Sequence, residues 1–173
     1  LETDGGFVRV AGAYNIQRMI EVGATLLIFA ENGVWALGGS DTGGFSATNQ
    51  TITKISEHGT ISPQSIVLVD GTVMFWADDA IYHVVANDVG QWSVKELSVN
   101  IRTLFQAIDP NDKVVCQGAF DSYEKKVRWL YNTRTDSVDS VTELVFDVVL
   151  AAFYPVIIGS TGTTGPTPIA PIQ

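Results

Sequence analysis

Asp41-Thr42-Gly43 spells the tripeptide of aspartic proteases, in which two such aspartates share one proton. A single copy is present here. It lies in the loop Gly38-Gly39-Ser40-Asp41-Thr42-Gly43-Gly44, without the apolar strand residues that precede a catalytic aspartate, so Asp and Gly read as turn formers. His58 and His83 are the two histidines, and each could act as a general base. No serine or cysteine near either stands in a nucleophile motif, and His83, between Tyr82 and Val84, reads as a strand residue. Cys116 ends the apolar run Val114-Val115-Cys116 and reads as a small buried hydrophobe.

Glu31, Asp78, Asp79, Asp109, Asp112, Asp136 and Asp139 cluster at expected turns, where acids can collect calcium, but none follows the Asp-x-Asp-x-Asp-Gly loop. With two histidines and one cysteine the chain lacks the ligand set of a structural zinc site. Asn49-Gln50-Thr51 matches a glycosylation sequon, although no secretory signal accompanies it. No Gly-x-Gly-x-x-Gly or Walker-type loop offers a phosphate cradle. The 17 aromatic residues could form a sugar platform, because Trp and Tyr faces stack on apolar sugar surfaces. Trp35, Trp76 and Trp129, however, sit inside expected strands and read as core packing, leaving Trp92 as the exposed candidate. The expectation is therefore a protein that is not an enzyme, with no catalytic, cofactor-binding or metal residues and no cofactor.

These residues sit in a chain of 173, enough for one compact domain or a piece of a larger one at roughly 150 residues per domain. With 46% hydrophobic and 17% charged residues it has ample material for a core, which excludes wholesale disorder. The longest apolar stretch, Val148 to Ile158, is 11 residues and contains Pro155; a spanning helix needs about 20. The start, Leu1-Glu2-Thr3-Asp4-Gly5-Gly6, does not read as a signal peptide. A net charge of −9 repels a phosphate backbone, so tight groove-type nucleic-acid binding is not expected. A lone cysteine leaves stability to packing or to a partner.

Short runs rich in β-branched and aromatic residues alternate with Gly, Asn and Asp clusters. They are Phe7–Val10, Gln17–Val22, Thr25–Ala30, Val34–Leu37, Thr51–Glu57 and Ser65–Val69, then Thr72–Ala77, Ala80–Ala86, Lys113–Phe120, Lys126–Tyr131 and Thr142–Phe153. One helix competes: after Ser98, Ile101, Leu104, Phe105 and Ile108 fall on one helical face. Leu26–Leu37 matches Val73–Val84 at a shift of 47 residues, each segment a strand, an acidic turn and a strand, and Cys116–Tyr131 is a weaker third copy. Asn32-Gly33 suits a type I′ turn, with further hairpins at Asp78-Asp79 and Glu124-Lys125. A period of 40 to 50 residues with about four strands is the signature of propeller blades. The fold expected is all-β, with about three blades in residues 1–158, Phe29, Trp76 and Val127 packed between sheets, and one short helix. Because closed propellers typically need at least four blades, the segment is expected to belong to a larger propeller or to have its edges covered by partner chains. Residues 159–173, rich in Gly, Thr and Pro and without charge, read as an extended linker or arm.

Ala24–Leu37 resembles the tail nozzle proteins, or tail tubular protein B, of short-tailed bacteriophages. So do Phe45–Gly59, Pro63 and Val67–Trp76, while Glu143–Pro155 looks like the blade ending of those proteins; together the resemblance covers roughly residues 16 to 155. It implies a structural protein of the virion, located in the phage tail, whose blades wall the DNA exit path as a homo-oligomeric ring, usually of six copies. It also implies contacts to an upper tail or adaptor ring and to tail fibres, with viral DNA passing without sequence-specific binding. Nozzle proteins of this type are longer than 173 residues, so the resemblance implies a longer chain. The other class open to such a sequence is an extracellular or tail-associated propeller that binds a host surface glycan through aromatics such as Trp92. Replacing Asp41 or His58 with Ala is expected to leave biological activity intact; a large loss in a variant whose circular dichroism is unchanged would contradict the reading of both as non-catalytic.

Overall fold

The computed structural model describes residues 8–38, 50–87, 90–132 and 140–159. The Asp41 loop, Asn49, Asp136, Asp139 and the arm at 160–173 lie outside the described residues. The chain divides into two compact units, Leu1–Gly59 and Thr60–Gln173. Among the described residues the strands form three antiparallel sheets, each of four strands consecutive in the chain. The first holds β1 (Ile16–Val22), β2 (Thr25–Ala30), β3 (Gly33–Gly38) and β4 (Thr51–Ser56), and the second β5 (Val67–Val69), β6 (Thr72–Trp76), β7 (Ile81–Ala86) and β8 (Trp92–Glu96). The third holds β9 (Gln117–Asp121), β10 (Lys126–Asn132), β11 (Ser140–Asp147) and β12 (Ala152–Gly159). The protein is all-β apart from short helical turns, and no helix among the described residues is long and apolar enough to cross a membrane.

In the first unit β2 and β3 are buried on both faces, which is why Leu26–Ala30 is continuously apolar instead of alternating. One face, Ile28, Ala30, Trp35 and Leu37, packs with Val10, Ala13, Leu26 and Ile52. Val10 lies in an irregular segment; no strand forms over 8–10. The β2–β3 turn also differs from the sequence expectation. Ala30 pairs with Gly33, so the two turn residues are Glu31 and Asn32, and neither has a positive φ. Gly33 is needed for a different reason: its φ is +150°, and a Cβ there would lie 2.5 Å from the Ser56 carbonyl oxygen on the neighbouring strand. The type I′ geometry appears instead at Asp70-Gly71, between β5 and β6, where both residues have positive φ (45° and 82°).

In the second unit the two sheets face each other across a core that includes Val67, Met74, Trp76, Val127, Trp129 and Leu144. Trp76 and Val127 thus pack between sheets as expected, and Phe29 is fully buried on β2 of the first unit. The expected helix is present as a 3₁₀ turn at Ser98–Ile101 that continues into α1 (Arg102–Gln106), placing Ile101, Phe105 and Ile108 in that core. Residues 113 and 114, expected to begin a strand, instead end a second helical turn, α2 (Pro110–Val114). Asp109 caps it, its Oδ1 accepting the Asn111 N–H at 2.8 Å, and Pro110 at the first helical position presets φ.

The 47-residue match is structural: Leu26–Leu37 and Val73–Val84 are the second and third strands of consecutive sheets. The third copy falls out of phase, because Cys116–Tyr131 covers the first and second strands of its sheet, and the equivalent hairpin is β10–β11. Nor is Thr142–Phe153 one strand. Asp147 Oδ1 accepts the N–H groups of Val149 and Leu150, turning the chain between β11 and β12. Asp121 builds the same turn between β9 and β10 by accepting the N–H groups of Tyr123 and Glu124. Each loop closes through a non-glycine residue of positive φ, Ala151 and Lys125.

Gly118 on β9 is a point of close approach in the second unit: an added Cβ would lie 2.5 Å from Val67 Cγ2 and 2.6 Å from the Trp129 ring. Gly118→Ala is expected to destabilise by about 1–3 kcal/mol through overpacking, and Gly118→Val by more. Urea unfolding checks this, and a variant as stable as the parent would show that the sheets can separate freely.

Candidate functional site

The chain's polar chemistry concentrates where the connector Thr60–Ile66 enters the second unit. Thr60, Ser62 and Ser65 are each no more than 1% exposed. Ser62 Oγ donates to the Cys116 carbonyl at 2.7 Å, and Thr60 Oγ1 lies 3.0 Å from the Trp76 carbonyl oxygen. Ser65 Oγ donates to the Ser62 carbonyl at 2.8 Å and accepts the Trp76 N–H at 3.2 Å, while the Trp129 indole N–H donates to the Ser65 carbonyl at 2.9 Å. Ser98 does the same work at the start of β7, opposite Trp76, accepting the Ile81 N–H at 3.0 Å. These hydroxyls hydrogen-bond main-chain groups, so they complete the backbone's hydrogen bonding and are not placed as nucleophiles.

Around them the rings form a closed aromatic cluster. Trp76 stands edge-on to Phe105 with centroids 4.9 Å apart and lies 6.1 Å from Trp129 and 5.6 Å from Tyr131. Burial pushes the Tyr131 hydroxyl up to about 12 and raises the Cys116 thiol far above its ordinary value, so Cys116 stays a protonated thiol in the core, as its apolar neighbours imply. Lys113 is only 5% exposed. Its Nζ donates to the Asp78 carbonyl at 2.8 Å and lies 4.5 Å from the centre of the Phe105 ring, tying α2 to the β6–β7 turn. Desolvation lowers its pKa, with Asp78 and Asp79 opposing.

His83 lies half-buried on β7, with Nε2 2.7 Å from Thr72 Oγ1. The Thr72 hydroxyl donates to the Val69 carbonyl at 2.8 Å. Its one proton is therefore directed away from the imidazole, and Nε2 is the donor to Thr72. A base for this hydroxyl would need the opposite arrangement, so the pair is structural. His58 is exposed after β4, its N–H donating to Ser56 Oγ, and lies in the other unit. Of the turn acids, Glu31 accepts from Asn15 and Gln17, Asp79 accepts from the Tyr82 hydroxyl, and Asp109 is the α2 cap. No group of three metal-ligating side chains converges among the described residues.

Trp92 does not stand free on a loop. It begins β8, pairs with Ala86 and is half-buried, a placement hidden by the brevity of the Trp92–Glu96 strand. Among the described residues of the second unit, the most exposed large apolar side chains are Tyr123 at 95%, Val149 at 76% and Leu150 at 73%. They occupy the two aspartate-held turns, which are linked by the Val148 N–H donating to the Lys125 carbonyl. The sequence signal for them is an aspartate two or three residues ahead of each apolar tip.

On the opposite side of the third sheet from its core, Glu143 is 6% exposed and faces Arg128, which also reaches Glu124 at 2.7 Å. Burial disfavours a charged Arg128, but hydrogen bonds to Glu143 and Glu124 prevail and raise its pKa.

Burial, and secondarily Lys95 opposite it, lower the pKa of His83. The unfolded chain then binds a proton more readily, so the stability contributed by neutral His83 is present above pH about 6.5 and is lost as pH falls towards the folded-state pKa. His83→Gln is expected to flatten the decline in unfolding free energy below pH about 6.5, measured by urea titration at a series of pH values. An unchanged slope would remove His83 as its source. Compared with known proteins, the chain matches no protein-family model and no curated protein by sequence.

Proposed function

We propose that this protein is a structural component of a bacteriophage tail, of the nozzle type, whose sheets are propeller blades in the wall of a DNA-ejection conduit. The observation that carries the reading is the succession of three four-stranded antiparallel meanders along the chain. Four strands per meander is the form of a propeller blade. The face-to-face packing of the second and third sheets supports it, as does the burial of both faces of β2, β3, β6 and β7. Sheets of this kind need cover on both sides, and three blades leave edges that further blades or copies of the chain would occupy.

The partners in this reading are other copies in a ring of about six, an upper tail or adaptor ring, and tail fibres. Leu130 and Ile158, exposed on the third sheet, and the tips Tyr123, Val149 and Leu150 supply apolar surface for such contacts. Passing DNA carries one charge per about 1.7 Å of axis and would stall on a basic wall, whereas a chain of net charge −9 repels it. Electron micrographs of the native assembly are expected to show a ring around an axial channel. A monomer at a fibre tip or on a cell surface would defeat the proposal and favour the glycan-binding class.

A further inference from the structure

Asn32 joins two features that nothing in the proposed tail function uses: an Asn-Gly sequence and a side chain that holds a distant segment. Its Nδ2 donates to the Gly12 carbonyl at 2.7 Å, and its Oδ1 accepts the Tyr14 N–H at 2.8 Å. The Glu31 N–H reaches the Tyr14 carbonyl at 3.2 Å, and the Glu31 carboxylate accepts from Asn15 and Gln17. The β2–β3 turn is thus a clamp on residues 12–17. The same segment delivers Val10 and Ala13 to the apolar face of Ile28, Ala30, Trp35 and Leu37.

We infer that Asn32 is a site of spontaneous deamidation gated by this clamp, so that the modification takes place only when residues 12–14 are released and then keeps them released. In the reaction the Gly33 amide nitrogen attacks Asn32 Cγ. A C–N bond forms, the Cγ–Nδ2 bond breaks, and Nδ2 leaves as ammonia carrying the Gly33 proton. Water then opens the five-membered imide at either carbonyl, giving aspartate or isoaspartate. Glycine at 33 leaves the attacking nitrogen without a neighbouring side chain, and the exposure of Asn32 admits the water. In the clamped state the Asn32 amide is directed to Gly12 and Tyr14, and Gly33 is paired with Ala30. Attack therefore requires local opening. After reaction the donor to the Gly12 carbonyl is gone, and a carboxylate stands beside that oxygen and beside Glu31, so reclosure regains one hydrogen bond fewer and is opposed by like charge.

The full chain is incubated folded and in urea at one pH and temperature, and deamidation at Asn32 is followed by peptide mass spectrometry. The folded chain is expected to react at least about tenfold more slowly; equal rates overturn the gate. Tyr14→Pro, which removes one clamping N–H, is expected to accelerate the folded reaction severalfold, and an unchanged rate with the β signal retained likewise overturns it. Asn32→Asp, which mimics one product, is expected to raise hydrogen exchange at Tyr14 and Glu31 while leaving β6 and β7 protected. Unchanged exchange there would show that the product does not hold the segment open. The comparison of folded and urea-treated parent chain stands even if either variant fails to fold.

Discussion

An irregular chain segment buried between two sheets must find hydrogen-bond partners for its main chain inside the protein, and the second unit depends on how residues 60–66 meet that demand. Thr60, Ser62 and Ser65 are shut off from water, and an unpaired buried donor or acceptor costs about 1–3 kcal/mol. The Thr60 and Ser65 hydroxyls supply partners at the Ser62 carbonyl and the Trp129 indole at the Ser65 carbonyl, while Thr60 and Ser62 also serve the Trp76 and Cys116 carbonyls. Because Ser62 reaches Cys116 and Trp129 reaches Ser65, the connector is bonded to the third sheet; through the Trp76 main chain it is bonded to the second. Aromatic packing then provides the attraction, and the hydroxyl bonds set where the sheets meet. Gly118 allows a close approach, since any side chain there would press on Val67 and Trp129.

The first unit meets a related demand on its surface. Its central strands are apolar on both faces, and one face is completed by an irregular segment carrying Val10 and Ala13. Such a segment has no ladder to hold it, so turn side chains act in place of a neighbouring strand. Gly59 brings the chain against the same turn, where an added Cβ would lie 2.2 Å from the Ala30 and Glu31 carbonyl oxygens. In both units, then, glycine and short polar side chains enforce close contacts that apolar packing alone would leave loose.

This distribution bears on what the protein does. Several groups capable of acid, base or nucleophilic work are committed to architecture: Cys116 as a core thiol, His83 as a donor to Thr72, Ser62, Ser65, Ser98 and Thr60 as main-chain partners. The described surface also carries edge strands, paired charges and apolar turn tips. In the proposed tail role, these features would serve contacts with copies and partners while a highly charged polymer moves past.

The periodicity of apolar and β-branched residues determined, from sequence alone, that the chain is all-β, where most strands run and that the β2–β3 and β6–β7 hairpins are equivalent. It could do so because strand pattern and turn residues are local properties. The core positions of Trp35, Trp76 and Trp129 were legible for the same reason. Local pattern failed where a local rule had a stronger competitor. The β-branched pair Val114-Val115 favours a strand but yielded to the helix start at Asp109-Pro110, and Asp147 broke an apolar run that otherwise reads as one strand. Tertiary structure alone decided that Asn32 is a clamp, that Ser62 and Ser65 join two sheets, and that Thr72 orients His83. Each depends on partners 11 to 64 residues away, and a one-dimensional pattern carries no information about which distant groups folding will bring within reach of one another.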